Sequence, residues 1–223
     1  KLVESDEVLV VFNPLGTAPN TAIQKYLNSK KVPQLFVATG ATKWGDPKNF
    51  PWTMAWQPSY QAEARIFAQH ILETKPNAKI AILYQNDDYG RDYLKGFEDG
   101  LGDKAKALIV SKVTYEVTDP TIDSQIVTLK GTGADVFFNI TTPKFAAQAI
   151  KKVAEIGWKP LHFLNNVSSS VGSVLKPAGL DKSVDIISAF YLKDPTDPQW
   201  QSTKEYADWL AWMKKYHASG DVN

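Results

Sequence analysis

The residues best placed to do chemistry follow an apolar run in the middle of the chain. Residues 79–84, KIAILY, are typical of a strand covered on both faces of a parallel sheet. The polar segment after them carries Asp87, Asp88 and Tyr89 and opens a helix. In open α/β sheets, ligands bind where strand ends meet helix starts, so these residues lie where a ligand would be met. The two aspartates are better suited to capping the helix than to acid–base catalysis, because no nucleophile or metal ligand is near them in sequence.

The other reactive residue types show no catalytic spacing. The three histidines, His70, His162 and His217, are far apart and do not have the spacing of metal ligands. The serines at 168–170 lack the Gly-x-Ser-x-Gly elbow of hydrolases. Gly131-x-Gly133 precedes a strand, the reverse of a dinucleotide fingerprint. With no cysteine in the chain, we predict no catalytic residue, no metal site and no cofactor.

Composition excludes several classes of partner. The 25 basic and 24 acidic residues give a net charge of +1, which offers no attraction to nucleic acid or to an anionic membrane. No apolar run approaches the roughly 20 residues of a membrane span, so direct membrane insertion is not expected. Residue 1 is Lys rather than Met, which indicates a processed chain or a fragment.

Strand and helix patterns alternate along the chain, which predicts an α/β fold with parallel sheets and right-handed crossovers. The predicted strands are 8–12, 34–38, 79–84, 107–115, 135–140, 161–164 and 184–190. The predicted helices include 17–30, 59–73, 90–101, 142–156 and 199–217, and residues 42–58 are expected to form a loop.

Two polar, proline-bearing stretches, 74–78 and 191–198, are candidate lobe boundaries. They divide the chain into a complete second lobe, residues 77–190, and a first lobe of residues 1–76 and 191–223. Two such lobes are the geometry of hinge-closing binding proteins. A single continuous sheet is the alternative.

The stretch AILYQNDDYGRDYLKGFEDGL resembles the second-lobe entry of the periplasmic solute-binding proteins of the branched-chain amino acid (Leu/Ile/Val) ABC transporter family. The segment from KLVESDEVLVVFNPLG to VATGATKW, and the block from DPTIDSQIVTLK to IGWKP, are similar to that family in the same order. The resemblance implies a type I periplasmic-binding fold of two lobes. It also implies that lobe 1 is incomplete here, with units expected before Lys1 and after Asn223.

The resemblance implies a first-lobe wall made of two loops. Leu15 and Gly16 stand where the family often has a serine, which leaves a backbone amide in its place. Gly40, Ala41 and Thr42 match the loop that holds the ligand carboxylate, as N–H groups at such a turn can without a cation. Trp44, two residues further on, lines the cleft or covers the loop.

The second-lobe wall includes two departures from the family. Tyr89 matches an aromatic wall, but Thr141 and Thr142 stand where a tyrosine is common. Asn166 stands where the amino-acid binders carry a glutamate that pairs with the ligand ammonium. A neutral amide does not balance a buried ammonium, so we expect an aromatic acid rather than a branched-chain amino acid.

The sequence therefore predicts a non-enzymatic, periplasmic receptor of an ABC importer, or one lipid-anchored outside a Gram-positive cell. Its expected partners are a small carboxylate ligand and a membrane permease, and it is expected to be a monomer. The alternatives are a branched-chain amino acid receptor, a ligand-sensing regulatory domain of the same fold, and a hydrolase on a doubly wound sheet.

Overall fold

Two parallel sheets organise the chain, and the computed structural model describes residues 1–220. The first sheet has the order β1-β2-β3, formed by Val11–Phe12, Gln34–Val37 and Thr53–Ala55. Helix α1, Thr17–Lys30, connects β1 to β2. It starts after Gly16, whose φ of 96° is a conformation that glycine adopts without steric cost.

The second sheet has five strands in the order β5-β4-β6-β7-β8, and every pairing in it is parallel. These strands are β4 Ile80–Gln85, β5 Ile109–Tyr115, β6 Val136–Ile140, β7 Leu161–Leu164 and β8 Ile187–Ser188. The helices along this part of the chain are α2 Tyr60–Thr74, α3 Asp88–Leu101, α4 Ala105–Leu108, α5 Asp123–Gly131, α6 Pro143–Glu155 and α7 Lys176–Ala178. The chain runs from β4 to one neighbour, β5, and then returns to the other side at β6, so the strand order reverses between β4 and β6. The predicted α/β class with parallel sheets is confirmed.

Alternate residues of the central strands face two separate apolar cores. On one face, the ring of Phe138 lies 5.7 Å from that of Phe67 on α2 and 4.7 Å from that of Phe97 on α3. On the opposite face, Phe137 and Leu83 pack in a second cluster with α5 and α6. Both faces of the strands are therefore buried, which explains their almost wholly apolar sequences.

Helix α2 packs on the second sheet, although the helix precedes the lobe boundary that the sequence predicts after residue 76. Its Phe67 ring also lies 5.3 Å from Phe163 of β7. The loop predicted at 42–58 contains a 3₁₀ turn, Thr42–Gly45, and the short strand β3. The division into residues 1–76 with 191–223, and 77–190, stays a prediction, and this packing argues for moving residues 60–76 into the second lobe.

Residues 190–223 separate from residues 1–189 as a second compact unit. Its described part contains the 3₁₀ turn Pro198–Trp200 and helix α8, Lys204–Tyr216. The Thr203 hydroxyl caps α8 by accepting the N–H of Tyr206 at 3.3 Å. Within residues 1–220, no helix is long and apolar enough to cross a membrane.

Candidate ligand-binding site

One asparagine ties together the carboxyl ends of β4, β6 and β7. The side-chain N–H groups of Asn165 donate to the carbonyl oxygens of Asn139 at 3.0 Å and Thr141 at 2.9 Å. Its Oδ1 accepts a hydrogen bond from the Tyr89 hydroxyl at 3.0 Å. Since the strand order reverses between β4 and β6, this edge is the switch point at which open α/β sheets bind ligands.

Tyr89 is held by the tight turn that starts α3. Asp87 caps the helix, because its Oδ1 accepts the N–H of Tyr89 at 3.0 Å and the N–H of Gly90 at 3.2 Å. A Cβ on Gly90 would lie 2.0 Å from the Gln85 carbonyl oxygen, so only glycine fits this turn. Asp87 therefore acts as the cap that the sequence indicated.

Three tyrosine rings, Tyr60, Tyr89 and Tyr93, form a buried group that we call the tyrosine cluster. The Tyr60 ring stacks on Tyr93 at a centroid distance of 4.4 Å and meets Tyr89 edge-on at 5.4 Å. Burial raises the pKa of Tyr89 and of Tyr93 well above the usual value, so both hydroxyls are neutral donors.

The loop after β2 packs against this cluster through Gly40. Its carbonyl oxygen accepts the Tyr60 N–H at 2.8 Å, and a Cβ at Gly40 would lie 2.5 Å from the Pro58 carbonyl oxygen and 2.7 Å from the Tyr60 ring. The absence of a side chain at residue 40 therefore lets the loop approach α2 closely. This contact brings the end of the first sheet against the switch point of the second.

Thr42 at the end of that loop holds a carboxylate of the protein itself. Its N–H lies 3.0 Å from Oδ2 of Asp92 on α3, and its hydroxyl donates to Oδ1 at 2.6 Å. The Gln61 amide donates to the same Oδ1 at 2.7 Å. The Thr42 N–H and hydroxyl thus each bind one oxygen of the same carboxylate. This is the arrangement that the sequence predicts for a ligand carboxylate.

A second carboxylate, Glu63 on α2, lies at Asn166. The Asn166 N–H and the Tyr93 hydroxyl each donate to it at 2.8 Å, and the Asn166 side-chain amide makes a third hydrogen bond. Burial raises the pKa of Glu63, while the hydrogen bonds from Asn166 and Tyr93 oppose that rise. The position where the sequence indicated a neutral amide therefore carries an acidic group as well.

The model of the periplasmic binding protein family matches residues 1–221 of the chain. The chain belongs to the periplasmic binding protein family. The predicted family resemblance is thereby confirmed, and the paired parallel sheets described above are those of its type I fold.

Solved periplasmic binding proteins share this fold at low sequence identity. A substrate-binding periplasmic protein from Ralstonia solanacearum is 21% identical, with a TM-score of 0.83 over 97% of this chain and 60% of its own. A branched-chain amino acid ABC transporter protein from Thermus thermophilus with bound valine is 15% identical, with a TM-score of 0.79 over 97% of this chain and 54% of its own. An ABC transporter solute-binding protein from R. palustris in complex with 4-hydroxybenzoate is 15% identical, with a TM-score of 0.81 over 99% of this chain and 58% of its own.

This chain thus spans well under two thirds of the length of those structures. A search of curated protein sequences found no match. The structural likenesses, all at 21% identity or below, show the fold of the periplasmic binding protein family and leave the ligand open.

The threonines predicted on the second wall are engaged with the protein. Thr141 is fully buried, and its hydroxyl donates to Oδ1 of Asn139 at 2.6 Å. The Thr142 N–H donates to the Tyr115 hydroxyl at 3.0 Å, and its own hydroxyl lies 3.3 Å from Oε1 of Gln85. Burial raises the pKa of Tyr115 to about 12. Thr141 therefore stabilises the strand ends, whereas Thr142, at the start of α6, is half-buried and more exposed than Thr141.

The predicted first-wall residues differ in exposure. Leu15 is 77% exposed and bridges to Ala38, while the Gly16 N–H donates to the Ala38 carbonyl oxygen at 3.3 Å. Trp44 is buried, and its indole N–H donates to the Thr39 hydroxyl at 3.3 Å. Of the two readings of Trp44, the structure favours a residue that covers the loop, and Ala41 is likewise buried beside it.

Sequence reasoning missed Glu63, Tyr93 and Asp92. The sequence feature that could have identified Glu63 is its position on the buried face of α2, one turn before Phe67. Asp92 gave no signal, because its contact with Thr42 joins residues 50 positions apart. Among residues 1–220, no group of three or more His, Cys, Asp or Glu side chains is placed to hold a metal ion.

Proposed function

We propose that this chain is the ligand-binding part of an extracytoplasmic solute receptor that delivers a small carboxylate to the permease of an ABC importer. The observation that carries the proposal is the Thr42 site, whose N–H and hydroxyl hold a carboxylate beside the switch point of the second sheet. The family match supports a binding protein rather than an enzyme. The receptor acts as a monomer in the periplasm, or tethered by lipid outside a Gram-positive cell.

An aromatic acid is the ligand class that we favour. The tyrosine cluster packs behind the Thr42 loop, with Tyr60, Tyr89 and Tyr93 only 4%, 3% and 0% exposed, so a ligand ring would stack on it only after the loop separates from the cluster. Such a stack would add about 0.5–1.5 kcal/mol beyond its buried area. A carboxylate on a flat apolar body would use the Thr42 donors directly and the tyrosine rings once that separation exposes them. The solved relative with 4-hydroxybenzoate supports the choice.

A branched-chain amino acid is the second candidate, and Glu63 is the observation that favours it. The buried carboxylate at Asn166 would supply the negative charge that a ligand ammonium needs. The solved relative with bound valine is consistent with this reading.

Thermal unfolding of the full-length protein with two ligand panels tests both candidates. The aromatic panel is benzoate, 4-hydroxybenzoate and cinnamate, and the aliphatic panel is leucine, isoleucine and valine. A ligand at 100 times its Kd stabilises the folded protein by about 2.7 kcal/mol, which is a shift of several degrees for a chain of this size. Stabilisation by the aliphatic panel alone would overturn the aromatic proposal.

Two variants then locate the site. Thr42→Ala should weaken carboxylate binding by about 1–3 kcal/mol, since the charged group loses a donor. The control Thr128→Ala, on the exposed side of α5, should leave binding unchanged. Glu63→Gln should abolish binding of an amino acid but spare an aromatic acid, because only the amino acid carries an ammonium group. Equal affinity in Thr42→Ala and in the control would remove the site from this loop.

A further inference from the structure

Asp92 occupies the donors that the proposed ligand needs. Its carboxylate accepts from the Thr42 N–H, the Thr42 hydroxyl and the Gln61 amide, at 3.0, 2.6 and 2.7 Å. A ligand carboxylate and Asp92 therefore cannot bind Thr42 at the same time, because a single N–H and a single O–H are available.

We propose that Asp92 is an internal competitor: its carboxylate closes the Thr42 site in the ligand-free protein, and the ligand carboxylate displaces it on binding. This inference rests on the proposed carboxylate function and names how the same site is regulated. It makes Asp92, on α3, a residue that sets ligand affinity without touching the bound ligand.

The surroundings of Asp92 make such an exchange feasible. The side chain is half-buried, at the edge of an open cleft of about 280 Å³ that begins at Ala41 and Thr42. Three cations line this cleft: Lys43, Arg91 and Lys95. They favour the approach of an anion and also give the released Asp92 carboxylate positive partners.

The local charge balance points the same way. Asp88 forms ion pairs with both Lys43, at 2.9 Å, and Arg91, at 3.2 Å, so one carboxylate serves two cations. The third cation, Lys95, pairs with Asp99 at 2.6 Å, so the three cations are matched by Asp88, Asp99 and Asp92, and of these three carboxylates Asp92 is the one held by neutral donors. Because Lys43, Arg91 and Lys95 also line the cleft, a ligand anion enters at a lower electrostatic cost than if the cleft held only Asp88 and Asp92.

The exchange also links the two sheets. Thr42 follows β2 of the first sheet, whereas Asp92 lies on α3, which connects β4 to β5 of the second. A ligand that takes over the Thr42 donors replaces a bond within the protein by one between ligand and protein. The Thr42–Asp92 contact lowers the apparent affinity for the ligand. Apparent affinity is the intrinsic affinity multiplied by the fraction of molecules in which the site is free. If the contact is closed in about nine molecules of ten, the apparent affinity is therefore about tenfold lower.

Calorimetry with 4-hydroxybenzoate and with leucine on the full-length protein tests the competitor. Asp92→Ala is expected to bind the active probe about tenfold more tightly than the wild type, and the isosteric Asp92→Asn, which keeps a weaker acceptor, should lie between them. Asp103→Ala removes an equal charge from an exposed site after α3 and should match the wild type within about twofold. Unchanged or weaker binding in both Asp92 variants would overturn the inference.

Hydrogen exchange at the Thr42 amide separates this inference from the proposed function. In the ligand-free protein the amide should exchange about tenfold faster in Asp92→Ala than in the wild type or in Asp103→Ala. An equal rate in all three proteins would overturn the internal competitor even if a carboxylate binds. Faster exchange without binding of either probe to any of the three would instead overturn the carboxylate function, and with it the competitor.

Discussion

Glu63 is a buried acid whose three hydrogen bonds come from neutral donors, Asn166 and Tyr93. Desolvation raises its folded-state pKa above the usual 4.5, and these hydrogen bonds offset only part of the rise. Between about pH 4.5 and the folded pKa, the native state therefore holds a proton that the unfolded state has released, and stability from this group falls as the pH rises through that window.

We expect the Glu63→Gln variant to be most destabilised relative to the wild type near pH 4, and we expect this difference in the free energy of unfolding to narrow as the pH rises toward 7. The neutral amide keeps its size and carries no charge to desolvate at any pH. Urea unfolding at pH 4, 5, 6 and 7 measures the difference in the free energy of unfolding. Glu98→Gln, at an ion pair with Lys112 on the surface, is the control. A gap that is the same at every pH would contradict the prediction.

His162 titrates in the opposite sense. It is 6% exposed, its Nε2 lies 3.2 Å from the Asn139 amide, and burial lowers its pKa from 6.5 to about 3. Because the folded state binds the proton less readily than the unfolded chain, stability is complete above about pH 6.5 and is lost as the pH falls toward 3.

His162→Gln should remove that acid sensitivity. Between pH 7 and pH 5 the wild type should lose about 2 kcal/mol more stability than the variant. Below about pH 6.5 the unfolded chain binds a proton that the folded state does not, and each further pH unit then lowers the free energy of unfolding by about 1.4 kcal/mol. Chemical denaturation at the two pH values measures it. His70→Gln, at an exposed position on α2, should follow the wild type instead. Parallel losses in the wild type and in His162→Gln would count against a buried neutral histidine.

Among the elements, α2 and α3 pack most closely. A Cβ on Gly96 of α3 would lie 2.3 Å from the Gln61 Cα, and one on Gly100 would lie 2.7 Å from the Ala68 Cβ. Backbone approaches backbone at Gly96, so a methyl group has no flexible neighbour to displace. This seam also positions Gln61, Glu63 and Tyr93, and thereby the site.

Gly96→Ala should destabilise the protein by about 1–3 kcal/mol, because overpacking outweighs the gain of about 1 kcal/mol in helix propensity. Gly131→Ala at the end of α5, where a Cβ would meet nothing within 4 Å, should be neutral or slightly stabilising. Denaturant midpoints of the two variants measure the contrast. A stable Gly96→Ala variant would mean that α2 can move away from α3, and ligand affinity would then report the shift.

At the scale of the molecule, the two sheets meet through hydrogen bonds and tyrosine packing. Contacts that join them around the cleft include Thr42 with Asp92, Lys43 with Asp88 and Gly40 with Tyr60. If the proposed receptor function holds, we expect binding energy to go into holding a ligand between the sheets.

We therefore expect no chemical turnover and no metal dependence. Esters, amides and phosphoesters should show no saturable hydrolysis by the pure protein, and excess EDTA should leave the melting temperature unchanged, since residues 1–220 hold no candidate metal cluster. Thermal unfolding with and without EDTA, and a hydrolysis screen repeated on Thr42→Ala, provide the measurements. Saturable hydrolysis that disappears in Thr42→Ala would overturn the receptor proposal.

The sequence by itself determined the alternation of strands and helices and the start of α3. The apolar runs at β4 and β6 require cover on both faces, and Asp87 with Gly90 requires a capped turn; both are local consequences of residue type. The position of Tyr89 at a strand end follows from the same local pattern, and so does its place at the edge of the sheet.

Only the tertiary structure decided what surrounds the site residues. The strand order places β4 and β6 side by side, α2 packs on the second sheet rather than the first, and Thr42 and Asn166 each meet a carboxylate from far along the chain. The Asn166 contact spans 103 residues, and no periodicity or motif encodes such a distance. Local patterns reflect neighbours in sequence, whereas the charge of a pocket depends on which helices pack beside it.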